Sequence, residues 1–102
     1  MSDTNETKVP STATLTAAAN LSIRIGKPVC FYFYLDSCNN KVKIGTNNND
    51  KVIYKNNEEH TSPISNIYKS EGEYLIVTEN TIYVISSGVK VVKLPDDFDL
   101  EM

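Results

Sequence analysis

Tryptophan is absent from these 102 residues, histidine occurs once, cysteine twice and glycine only four times. Each shortage narrows what the chain can do. With one histidine, any Ser-His-Asp arrangement would rest on His60, which sits in the polar stretch Glu58-Glu59-His60-Thr61 and reads as a surface-loop residue. Cys30 and Cys38, eight apart beside a lone histidine, offer no zinc-ligand spacing, so neither a metal nor another cofactor is expected. Four unclustered glycines make no phosphate cradle, and no nucleophile elbow, HExxH or kinase-type motif occurs. The carboxylate pairs Glu58-Glu59 and Glu71/Glu73 fall at turn positions, where solvated acids are ordinary. The expectation is a protein that is not an enzyme.

Long apolar runs are missing too. The longest, around Val29–Leu35 and Leu75–Val77, fall far short of the roughly 20 residues of a membrane helix. The opening MSDTNETKVPSTATLTAAAN lacks a basic start and an apolar core, so it does not read as a secretion signal. No membrane partner is expected, and the cytoplasm, the nucleus or a virion is the expected location. The sequons at Asn5 and Asn20 then read as chance, and both cysteines as reduced.

An excess of positive charge is also lacking. Of thirteen acids four follow Leu94, whereas none of the ten bases does, so residues 1–94 carry ten bases against nine acids. A near-neutral body has no basic face for duplex DNA.

What is present is β patterning. Residues 1–11 are polar, contain Pro10 and read as a disordered lead-in. Ser11 to Thr14 offer N-cap oxygens for one short helix over 14–21, ended by Gly26-Lys27-Pro28. From Val29 the period is two: Val29, Phe31, Phe33 and Leu35 on one face, Cys30, Tyr32 and Tyr34 on the other. Asp36–Asn40 reads as a turn into Lys41–Ile44, and Thr46–Asp50 as a second turn into Lys51–Lys55. Ile64–Lys69, Glu73–Thr78, Thr81–Ser86 and Val89–Leu94 complete six or seven strands after one helix. This predicts a mainly β fold, a small antiparallel barrel or sandwich of SH3-like or Sm-like type. It would span 12–94 as one domain, with an acidic tail over 95–102.

The tail, LPDDFDLEM, follows the strand-breaking Pro95. In it Phe98 and Leu100 alternate with Asp96, Asp97 and Asp99, the composition of segments that fold on a partner. DDFDLEM resembles the core of the herpesvirus acidic activation segment and, more loosely, the acidic tips of single-stranded DNA-binding proteins. Those resemblances imply protein recruitment, with Phe98 as anchor. KPVCFYFYLDSCNNK is similar to the thioredoxin stretch, but Asn40-Lys41 stands where that family has its second cysteine, so its redox chemistry is not implied.

IGKPVCFYFYLDSCNNKVKIGTNNNDKVIYKNNEEH resembles the first half of an Sm-like barrel. That implies the small barrel and transfers no RNA-binding residues, because TENTIYVISSG does not match the family's second motif. NNEEHTSPISNIYK and EYLIVTENTIYVIS resemble small uncharacterised proteins of large DNA viruses, which implies a virion-associated or accessory role. The leading expectation is therefore a non-enzymatic protein-binding or structural module, with self-association through edge strands among its options. The alternative is a barrel binding single-stranded nucleic acid, stacking bases on Tyr32, Tyr34 and Tyr83 with Lys41, Lys43 and Lys51 along the backbone track.

Overall fold

Helix α1 (Thr12–Ile25) begins where the sequence offers a cap: the Ser11 hydroxyl accepts from the Thr14 amide at 3.1 Å. It continues four residues past the expected end, to Ile25, and is capped by Gly26, whose left-handed φ of 72° lets its amide close on the Ser22 carbonyl. Thr14, Ala18 and Leu21 share its buried stripe. The computed structural model describes residues 9–95. Asp96, Asp97, Phe98, Asp99 and Leu100 lie outside the described residues, as does most of the lead-in. Pro10, at its near end, is buried.

After α1 come β1 (Val29–Cys30), a short helix α2 (Tyr34–Cys38), β2 (Lys43–Asn47), β3 (Asp50–Asn56) and β4 (Glu59–His60). Then follow β5 (Asn66–Ser70), β6 (Glu73–Val77), β7 (Ile82–Ser86) and β8 (Val91–Lys93). One sheet has the order β1-β7-β6-β5 and the other β4-β3-β2-β8. The fold is mainly β, as the pattern of turns and alternation implies. Neither sheet closes into a barrel among the described residues.

Three layers result. Leu75, Val77, Ile82 and Val84 pack from the first sheet against Ala18 and Leu21 of α1. The opposite face of the same strands sends Ile76 and Ile85 against Val42, Ile44 and Ile53 of the second sheet. Strands covered on both faces need no polar side, which is why β6 and β7 read as near-continuous apolar runs. On the outer side of the second sheet Gly45 faces Val52 across the β2–β3 ladder. Leu94 lies over it, its Cδ1 only 2.7 Å from where a glycine-replacing Cβ would stand. That close approach accounts for a glycine inside a strand.

Two expectations are corrected. The meander is not purely antiparallel, because β1 pairs with β7 and β2 with β8 in parallel. Parallel partners need long crossovers, and local turn signals carry no information about them. The strand expected over Val29–Leu35 stops at Cys30, and what reads as a turn after it is helix α2. The neighbours Phe33 and Tyr34 are both buried, Phe33 between the sheets and Tyr34 against α1. Ser37 ties α2 down: its hydroxyl donates to the Tyr34 carbonyl at 2.5 Å and accepts from the Ser86 amide of β7 at 2.9 Å. Asn40, at φ 61°, turns the chain into β2.

Candidate functional site

α1 packs its stripe on the first sheet, which leaves Leu15 on its flank, 39% exposed. Because the chain turns at Phe31 instead of continuing as a strand, Phe31 and Leu35 also point outward, 45% and 53% exposed. Val9 joins them from the segment before the cap. These four side chains, with Pro10 and the buried Tyr34, line a groove of about 340 Å³. The hydroxyl of Tyr34 is held well above the usual phenol range, first by burial and then by its hydrogen bond with Cys38.

A charged cluster involves the next residues along, Tyr32 and Asp36. Lys55 Nζ lies 2.8 Å from Asp36 Oδ2 and 3.5 Å from Glu59 Oε1, and Tyr32 donates its hydroxyl to Glu59 Oε2 at 2.5 Å. The Tyr32 hydrogen bond holds Glu59 below the usual carboxylate range, helped by Lys55. The same bond and the Glu59 charge raise the Tyr32 phenol, and the bond to Asp36 raises Lys55. Four groups, three of them partly buried, thus fix one another, with two carboxylates against one base.

A lowered carboxylate contributes above its unfolded pKa, and that contribution is lost as pH falls through the folded value. Tyr32→Phe is therefore expected to move the Glu59 titration up toward the ordinary carboxylate pKa of about 4.3, read from the Glu59 carboxyl carbon by NMR. An unchanged titration would mean that the bond does not persist in solution.

The expected stacking residues are not brought together. Tyr32 is exposed, with its ring edge-on to Phe33 at 4.9 Å. Tyr34 is buried against α1. Tyr83 lies half-buried at the inter-sheet core, its ring 5.6 Å from Phe33 and its phenol raised by burial. Lys41 is exposed before β2, Lys43 shares a small cleft with Lys90, and Lys51 lines a different cleft beside Ile64 and Ile67. His60 stands in β4 opposite Tyr54, its Nδ1 3.1 Å from the Thr61 carbonyl oxygen. Cys30 and Cys38 are both free thiols, in β1 and α2.

The groove residues Val9, Leu15, Phe31 and Leu35 escape sequence reasoning. Their one signal is the unbroken apolar run from Val29 to Leu35, longer than the two faces of a short strand in a small fold can bury. No helix among the described residues is long and apolar enough to cross a membrane.

These features define a small mainly β domain of two stacked sheets with a helix on one face. No family model matches the chain, and no curated protein or solved structure matches it.

Proposed function

We propose that the chain is a non-enzymatic protein-interaction module that binds through the groove between α1 and α2. The observation that carries this reading is the convergence of four exposed large apolar side chains, Val9, Leu15, Phe31 and Leu35, on one concavity. Exposed apolar side chains scattered singly are normal, whereas a contiguous concave set marks a docking surface. The Asp36–Lys55–Glu59 cluster beside it carries one net negative charge, which favours a partner bringing apolar anchors with a cation next to them.

We read the scaffold as a sandwich-type stack with a helical third layer, a reading supported by the single core between the two sheets. A virion-associated or accessory role, with protein partners, is in keeping with the resemblance to small proteins of large DNA viruses.

Selection from a random peptide display library tests the proposal. Peptides with two or three apolar residues and an adjacent Lys or Arg should be enriched. Their affinity should fall at least tenfold against the double variant Phe31→Ser, Leu35→Ser, with the far-ultraviolet spectrum unchanged because both positions are exposed. Enrichment of peptides that bind the double variant equally well would sink it, as would failure to enrich any.

A further inference from the structure

We propose that the open edge of β5 is a strand-accepting site and that its occupant is residues 96–102 of the same molecule. β5 is the last strand of its sheet, pairing with β6 on one side and with no strand on the other among the described residues. Asn66, Ile67, Tyr68 and Lys69 are all exposed. Such an edge presents alternate unpaired N–H and C=O groups, a template for an extended segment.

The surroundings of this edge select for charge and for apolar side chains together. On the α1 side, Arg24, Lys69 and Tyr68 surround a cleft of about 240 Å³ floored by Leu21 and Leu75. On the side of the second sheet, Lys51, Ile64 and Ile67 line one of about 360 Å³. Cations thus line both clefts, and no Asp or Glu lines either.

DDFDLEM has the matching chemistry and the matching period. Extended, it places Phe98, Leu100 and Met102, after a leading Asp96, on one face and Asp97, Asp99 and Glu101 on the other, so one cleft receives mainly apolar side chains and the other only acids. The segment carries four acids and no base, against nine bases and seven acids in residues 9–95.

The starting point and the reach favour the same molecule over a second copy. The Pro95 carbonyl accepts from the Asn47 side chain at 3.0 Å, and Asn49, two residues on in the β2–β3 turn, lines the cleft beside β5. Seven residues span roughly 23–25 Å when extended, against about 17 Å for the five residues of β5. Pro95 is thus tied to the turn that borders the β5 cleft, and seven residues are long enough to run the length of β5.

Amide hydrogen exchange of the full chain tests this. The alternate β5 amides that do not face β6 should be protected. Phe98→Ser with Leu100→Ser should speed their exchange at least tenfold while β6 and β7 amides stay as they were. Arg24→Glu with Lys69→Glu should speed it likewise, and adding Asp97→Lys with Asp99→Lys in that background should restore protection, which loss of fold does not explain. Unprotected β5 amides in the unaltered chain would overturn the proposal. Protection that disappears on dilution would also overturn it, assigning the edge to a second copy.

Discussion

Thr14→Val is expected to destabilise the domain by about 2–4 kcal/mol, although it removes no volume. Thr14 is fully buried, and its hydroxyl oxygen lies 2.6 Å from Glu73 Oε1, 2.8 Å from the Ser70 carbonyl and 2.9 Å from the Ser11 hydroxyl. Glu73 is itself buried at 8% exposure, and its other donors are the Ser11 amide at 3.3 Å and the Ser11 hydroxyl at 3.2 Å. The valine strips the closest of these donors from a buried carboxylate without replacing it, so most of the cost falls on Glu73. Ser11→Ala, which takes the cap and a longer bond, should cost about 1 kcal/mol. The difference between the two, read from urea midpoints at constant slope, locates the junction of α1 with the β5–β6 hairpin. A cost near zero for Thr14→Val would mean that Thr14 matters only as filling.

Ile76→Ala is expected to cost about 3–5 kcal/mol, through lost burial and an unfilled space between the sheets. Its side chain is fully buried in the cluster of Phe33, Val42, Ile44, Ile53 and Ile85 that joins the two sheets. Domains of this size hold about 5–15 kcal/mol in all, so either substitution removes a large share. The internal control is Ile23→Ala on α1, where the side chain is 83% exposed and the change should stay within about 0.5 kcal/mol. If Ile76→Ala unfolds at the same denaturant concentration as Ile23→Ala, the inter-sheet core is not where stability resides.

Most strands were legible because their turns are. Asn48 and Glu71 carry positive φ values in the tight turns before β3 and β6, and Asn and Gly-flanked positions announce such bends. Ser11 and Gly26 mark the two ends of α1 in the same way. The stretch Val29–Cys38 was illegible for a definite reason. Alternation describes Val29–Leu35 equally well as strand or as irregular chain, and only tertiary partners, Ser86 for Ser37 and two different cores for Phe33 and Tyr34, decide it. The groove escaped with it, since Phe31 and Leu35 face outward only because the chain turns there. The parallel pairings joined residues about half the chain apart, such as Val29 with Ile82. The charged cluster at Tyr32 likewise depends on β3 and β4 passing beside α2, which no spacing in the sequence encodes.

The strands that lie in the middle of the molecule come late in the chain, and this governs how the protein can be made. Synthesis proceeds from the N-terminus, so α1, β1 and the β2–β3 hairpin emerge before β6 and β7, the layer each must lie against. Until Ile82–Ser86 have left the ribosome, Val29–Cys30 has no strand to pair with, and Ala18, Leu21, Ile44 and Ile53 have little to cover them. The first half of the domain therefore has no complete core of its own, and the nascent chain carries this apolar surface until β7 has emerged. β7 contributes to both cores, so neither is complete before it arrives, and the distant pairing it closes with β1 is of the kind that slows folding.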